Sequence, residues 1–257
     1  MPLNFSLRDH TILLTGAAGL FGRGLTTTLA EAGATLVIAS RDVEKLRAVA
    51  DEETARGHRV FAERLDQGDE ASVQSLGARI AGQHGPLHGL VNNAVLRVVK
   101  GANGTVAQWE ESMRVNGIGL MLMHRVFGAA MAEAGRGSIV NIGSVQGMIG
   151  PSYELYEGTA MGDMPPDYFF HKGGMLNLTR FYAALHGPRA VRVNCVSPGG
   201  FFNHQPGSFV KRYCEHTMLR RMADEHDLGG AVVFLLSEAS RYITGANLPV
   251  DGGYTAK

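Results

Sequence analysis

Only two cysteines, Cys195 and Cys214, occur in 257 residues, which excludes a disulfide framework and fits a reducing compartment. An excess of either charge is equally absent. Twenty-four Lys and Arg stand against 24 Asp and Glu, so no net field draws the chain to nucleic acid or to an anionic membrane. No apolar run approaches the ~18 residues of a membrane span, and no basic and apolar leader opens the sequence. The expectation is a cytoplasmic protein without nucleic-acid or membrane partners. Ten histidines form no pair at metal-ligand spacing beside a carboxylate or cysteine, so no metal site is expected. Apolar bulk is what the chain does have: 45% of its residues are hydrophobic and 19% charged, enough for one sizeable core.

That apolar content comes in short Val- and Ile-rich runs. Strands are expected at Thr11 to Thr15, Thr35 to Ala39, Arg59 to Ala62, Leu87 to Asn92, Ser138 to Gly143, Ala190 to Val196 and Asn247 to Val250, with helical periodicity between them. About seven strands alternating with helices imply a doubly wound α/β fold, a parallel sheet covered on both faces. No repeat or linker divides it, so 1–257 is expected to be a single domain. Met121-Leu122-Met123 reads as helix core.

Two patterns carry chemistry. The strand at Thr11 to Thr15 runs into Gly16-Ala17-Ala18-Gly19-Leu20-Phe21-Gly22-Arg23-Gly24 and then a helical pattern. Glycines there let the backbone approach a pyrophosphate, and a helix N-terminus presents free N–H groups to it. A turn with only a packing role has the same composition. Tyr168 and Lys172 stand four apart, on one helix face, where an ammonium lowers a phenol's pKa from its ordinary ~10 and suits it to proton transfer. An aromatic packed on the core beside a solvated Lys shows the same spacing.

Five further landmarks follow in order: Asn92-Asn93-Ala94; Val115-Asn116; the strand Ser138 to Ser144; Val191 to Gly199, ending in Pro198-Gly199; and Ile243-Thr244-Gly245 with Val250-Asp251-Gly252-Gly253. Together these segments resemble the short-chain dehydrogenase/reductase family over nearly the whole chain. The resemblance implies a Rossmann-type fold that binds a nicotinamide dinucleotide at Gly16, Gly19, Phe21, Gly22, Asp66, Asn93, Ala94, Pro198 and Gly199, with Tyr168 and Lys172 at the nicotinamide end. It also implies a catalytic set. Tyr168 would be the general acid/base, Lys172 would lower its pKa and bind the ribose, Ser144 would hydrogen-bond the reacting oxygen, and Asn116 would hold a water connecting Lys172 to solvent. Two departures stand out. Leu20 replaces a glycine of the family's Thr-Gly-x-x-x-Gly-x-Gly turn, and Val95 replaces the last glycine of Asn-Asn-Ala-Gly, which predicts a tighter floor beneath the nicotinamide.

The second strand ends in Ser40-Arg41, without the acid that binds a ribose 2′-hydroxyl, and Arg41 offers a guanidinium to a 2′-phosphate. NADP(H) is therefore expected over NAD(H), with Asp42 next door keeping NAD(H) open.

Ser144 and Tyr168 are 24 positions apart, about twice the distance in typical family members, so 147–166 is expected to be an insertion. Its Tyr-Glu-x-Thr-x-Met run, Tyr156 to Met161, resembles members linked to bacterial surface and flagellar sugar synthesis; a surface loop or subunit contact is the alternative. With the expected substrate loop near 200–216, it mixes aromatic and polar residues, which predicts a sugar-derived or hydroxy-acid substrate contacted by Tyr153, Phe202, Asn203, His204 or Lys211. The apolar helix around Tyr168 predicts a homotetramer or homodimer. The leading expectation is an NAD(P)-dependent oxidoreductase exchanging an alcohol and a ketone. The alternatives are an epimerase or dehydratase with tightly held cofactor, and a cofactor-binding regulator without turnover.

Overall fold

The computed structural model describes residues 4–162 and 164–256. At positions 1–3, 163 and 257, the expected domain over 1–257 and insertion over 147–166 fall outside the described residues. The short β-branched runs form seven strands: β1 (Thr11–Thr15), β2 (Thr35–Ser40), β3 (Arg59–Arg64), β4 (Gly89–Asn92), β5 (Gly137–Ile142), β6 (Val191–Pro198) and β7 (Asn247–Val250). All pair in parallel, in the order β3-β2-β1-β4-β5-β6-β7. This is the expected single-domain, doubly wound sheet. Some strands outrun their apolar cores because the ladder continues: Ser40 still pairs with Arg64, and Pro198 with Val250.

The helices are α1 (Leu20–Glu31), α2 (Val43–Ala55), α3 (Glu70–His84), α4 (Val106–Ala134), α5 (Pro166–His186), α6 (Gly207–His216) and α7 (Gly229–Leu236). Alternation along β1 divides the core between the two faces of the sheet. Ile12 and Leu14 join Leu25, Leu29 and Val232 of α1 and α7, whereas Leu13 joins Leu76, Met123 and Phe127 of α3 and α4. Each such side chain is fully buried or nearly so, worth about 1.5–3 kcal/mol.

By length and composition α4 is apolar enough to cross a membrane, although no run of that kind was expected from the sequence. In the fold its apolar stripe, including Leu122, Met123, Phe127 and Met131, is core, as for the central helix of an α/β protein. Twice α4 widens into π-turns, at Met113–Ile118 and His124–Gly128. The order of strands reverses between β1 and β4, so the loops beyond their C-terminal ends part and leave a crevice.

Candidate active site

The glycine turn is sewn to the loop after β4. Thr15 closes β1, and its buried hydroxyl accepts from the N–H groups of Asn93 (3.1 Å) and Ala94 (3.0 Å). Asn93 returns its amide Nδ2 to the carbonyls of Thr15 and Gly16, at 3.0 Å each. Glycine is required at two points. Gly16 has φ +69°, and a Cβ there would stand 2.8 Å from Ala94 Cα; at Gly22 a Cβ would stand 2.2 Å from the Gly16 carbonyl oxygen. Helix α1 opens after Gly19, with no side chain capping its first N–H groups, so those donors are free for a phosphate. This close backbone cradle fits a dinucleotide.

The cradle opens on a cavity of about 670 Å³ lined by Gly16, Gly19, Phe21, Ser40, Arg41, Asp66, Asn93, Ala94, Ser144, Tyr168, Lys172, Pro198 and Gly199. Leu20 and Val95 line it too and are partly exposed. Gly22 lies outside the lining and acts from behind, by letting the turn close. At the β2 end, Asp42 caps α2 by accepting from the Lys45 N–H at 3.3 Å and is not among the lining residues. Arg114 lies 3.5 Å from Asp66 and is gripped by Glu111 at 2.7 and 2.9 Å.

At the other end stand Ser144, Tyr168 and Lys172. Ser144 follows β5, and its hydroxyl accepts from the Gln146 N–H at 3.1 Å, which starts a tight turn, Val145–Gly147. That turn rests on α5 so closely that a Cβ on Gly147 would stand 2.5 Å from the Lys172 carbonyl oxygen. Lys172 is buried and donates from Nζ to the Ile142 carbonyl at 2.5 Å. Burial pushes the Tyr168 phenol up, but Lys172, then Arg97, then Ser144 outweigh it and hold the phenol below its ordinary value. Burial holds the Lys172 ammonium below its ordinary value, against the pull of Tyr168.

Asn116 lies behind the cavity, in the first π-turn of α4. Its Oδ1 accepts from the Leu96 N–H, and its Nδ2 donates to the Leu96 carbonyl and, at 3.0 Å, to Ser112 Oγ. Ser112 donates in turn to buried Asp167, beside Tyr168, and lies 3.1 Å from His171 Nε2. A buried polar chain thus runs from the loop after β4 through α4 to α5.

Of the five residues expected at the substrate, Asn203 lines the cavity; Tyr153, Phe202, His204 and Lys211 do not, and all four are exposed. Their loops nevertheless meet. Leu155, Phe209, Tyr213 and Met222 form a small apolar cluster, and Arg212 donates to the Leu155 carbonyl at 3.2 Å. The cavity also takes in Arg97 and Gln146, which sequence reasoning passed over, and Tyr156 and Gln205, which lie in the expected insertion and substrate loop but were not singled out as contacts. Arg97 was within reach, being three residues past Ala94 in a loop beyond a strand's C-terminal end. Both cysteines are free thiols. Among the described residues no group of three or more His, Cys, Asp or Glu side chains meets at metal-binding range.

The family described as enoyl-(acyl carrier protein) reductase matches residues 16–255. A cis-4-hydroxycyclohexanecarboxylate dehydrogenase of Sinomonas cyclohexanicum is 32% identical, over 96% of this chain and 97% of that protein. A D-threitol dehydrogenase of Mycolicibacterium smegmatis is 32% identical, over 100% of this chain and 97% of that protein. Among solved structures, a gluconate 5-dehydrogenase from Burkholderia cenocepacia in complex with NADP and tartrate superposes with a TM-score of 0.89 and 28% identity, covering 99% of this chain and 98% of that one.

Proposed function

The chain belongs to the short-chain dehydrogenase/reductase family and is an NAD(P)-dependent oxidoreductase acting on alcohols; from that premise we propose that it interconverts a secondary alcohol and a ketone on a polar, polyhydroxylated or hydroxy-acid substrate. The observation that carries this reading is the meeting of Ser144, Tyr168 and Lys172 at one end of a cavity whose other parts form a phosphate cradle. The named activities of the threitol and hydroxycyclohexanecarboxylate relatives support the substrate class.

In oxidation the Tyr168 phenolate takes the hydroxyl proton while the carbinol C–H bond breaks with its electron pair, leaving a ketone; in reduction the phenol returns the proton. The bound dinucleotide supplies the hydride acceptor or donor. Lys172 stabilises the phenolate and would bind the ribose of a bound dinucleotide, and Ser144 steadies the reacting oxygen. Asn116, whose two amide N–H bonds are spent on Leu96 and Ser112, holds the loop at the nicotinamide end and, with the second lone pair of Oδ1 still open, any water that passes protons from Lys172. Gly16, Gly19, Phe21, Asn93, Ala94, Pro198 and Gly199 would hold the dinucleotide, with Gly22 closing the turn from behind and Asp66 meeting the adenine.

NADP(H) is the preferred cofactor in this reading. Arg41 lines the cavity while the neighbouring Asp42 is spent on the cap of α2, so a 2′-phosphate meets a guanidinium and no opposing acid from that turn. The protein works in the cytoplasm as a homotetramer or homodimer, supported by exposed Phe170, Phe181 and Leu185 along α5. Fluorescence titration with NADPH and NADH, followed by turnover of matched panels of polyols, hydroxy acids, steroids and acyl ketones, tests the reading; activity confined to the lipophilic panels would overturn it.

A further inference from the structure

Arg97 helps hold the Tyr168 phenol below its ordinary value, and its position suits it to a second task, at the substrate. Its guanidinium carbon stands 4.6 Å from the centre of the Tyr168 ring, and it lines the cavity with Tyr168 and Ser144. A guanidinium stacked on an aromatic face is held in place while its planar fork of N–H donors stays available. Its loop is held from both sides: Asn116 grips the backbone of Leu96, and Val99 is buried.

The charges around the cavity are unbalanced. Arg41, Arg97 and Lys172 line it, and the one carboxylate among its described lining residues is Asp66, which follows β3 and lies 3.5 Å from Arg114. Lys172 is buried with its ammonium turned to the Ile142 carbonyl, and Arg41 follows β2 at the adenosine end. Arg97 is therefore the cation presented to the substrate. Around it the wall is uncharged, with Gln146, Ser152, Tyr156, Asn203 and Gln205 offering hydrogen bonds. Ile149, Met161 and Met164 line the cavity as well, and a fixed charge in an otherwise uncharged pocket selects a ligand of opposite sign, because a neutral ligand would leave the guanidinium desolvated and unpaired.

We propose that Arg97 is the substrate-carboxylate anchor of this site, and that the substrate is a 2- or 3-hydroxy acid, or the corresponding oxo acid in reduction. In this arrangement the hydroxyl lies at the Tyr168 phenol and the carboxylate one or two carbon–carbon bonds away, each about 1.5 Å, on the side of the guanidinium that stands over the Tyr168 ring. The carboxylate accepts two parallel N–H bonds from the fork, which fixes the carbinol carbon relative to Tyr168. The proposal rests on the reading of Tyr168 as the acid/base, and the reaction is the one already written: hydride from the carbinol carbon to NAD(P), proton to Tyr168.

The test compares hydroxy acids with their methyl esters and with neutral polyols, using the unmodified protein, Arg97→Ala and Arg97→Lys. Arg97 is exposed, so the variants are expected to fold. The unmodified protein should favour acid over ester; Arg97→Ala should raise KM for the acid roughly 10- to 100-fold with little change in KM for a neutral alcohol, while any fall in kcat through Tyr168, whose phenol Arg97 helps hold below its ordinary value, should strike acid and alcohol alike. Arg97→Lys should restore part of the loss, and NADPH affinity should stay within about twofold in both variants. A second readout needs no turnover: tartrate, added to the NADP-bound protein, should raise the melting temperature of the unmodified protein and not that of Arg97→Ala. Equal use of acid and ester, an equal rise in KM for acids and neutral alcohols, or loss of NADPH binding in Arg97→Ala would each overturn the proposal. Turnover of neutral alcohols alone would sink the anchor and leave the alcohol–ketone reading standing; normal turnover by Tyr168→Phe would sink that reading itself.

Discussion

Asn116 holds Leu96 by both of its backbone groups, at 2.8 Å each way. The widened turn of α4 aims the amide sideways at the loop after β4, and Ser112, one turn earlier, carries the connection on to Asp167 of α5. Two segments that meet at the reacting carbon, the Val95 to Arg97 loop and the start of α5, are thereby held to one helix.

Asn116→Ala is expected to lower stability by about 1–3 kcal/mol, the range for leaving buried hydrogen-bonding groups unpaired, and to raise the substrate KM by loosening the Leu96 loop. Urea unfolding and steady-state kinetics together check it. Unchanged stability would mean that water replaces the amide at no loss.

Tyr168→Phe keeps the ring and removes the transferable proton. Turnover should fall by roughly 10² or more with little change in cofactor affinity, whereas Lys172→Ala should damage both. Single-turnover rates with NADPH titrations alongside separate the two effects.

NADPH should bind more tightly than NADH, and Arg41→Ala should narrow the gap by roughly the worth of one charge-assisted contact, about 1.5–3 kcal/mol. Side-by-side fluorescence titrations decide it; a clear preference for NADH in the unmodified protein would remove Arg41 from phosphate recognition.

Because Lys172, Arg97 and Ser144 hold the Tyr168 phenol below its ordinary value, the phenolate needed for oxidation is populated below the usual ~10. Oxidation should quicken as pH rises through that depressed pKa, and reduction, which needs the phenol, should slow. In Lys172→Met the burial that raises the phenol is opposed by less charge, so the limb should move to higher pH. Initial rates in both directions between about pH 6 and 10 test the sign.

A second copy is expected to cover Phe170, Phe181 and Leu185 on α5, where they stand 57%, 59% and 55% exposed. Phe181→Glu should shift the mass in light scattering toward a smaller species. A concentration-independent monomer in the unmodified protein would contradict the expected assembly.

Five of the seven strands, β1, β2, β4, β5 and β6, were legible as short apolar runs buried nearly throughout, a pattern that survives in one dimension. The edge strands β3 and β7, largely exposed or half-buried, were legible from their place in the alternation of strand and helix. The Gly16 turn was legible too, since its close approach to Ala94 leaves a compositional trace. The substrate wall was not. Tyr153 and Phe202 have the chemistry of a pocket, yet they are exposed, while Leu155, two residues past Tyr153, and Phe209, in α6, are the buried members of the apolar cluster there. Nothing local distinguishes the member of an irregular segment that turns inward; the small apolar cluster that decides it joins residues far apart in the chain. The widened turns of α4 left no trace either, because their hydrogen-bond pattern depends on what Asn116 finds opposite it.

Those turns give α4 slack. A π-turn holds about one residue more than the α-turn it interrupts, so loss of one residue within Met113–Ile118 would tighten the turn to ordinary winding and leave Leu122, Met123 and Phe127 in phase with the sheet. Asn116 alone would swing away from Leu96. The helix is thus built so that its architecture and its chemistry are separable: length can change there without unmaking the fold, and the part lost first is the grip on the loop that carries Arg97.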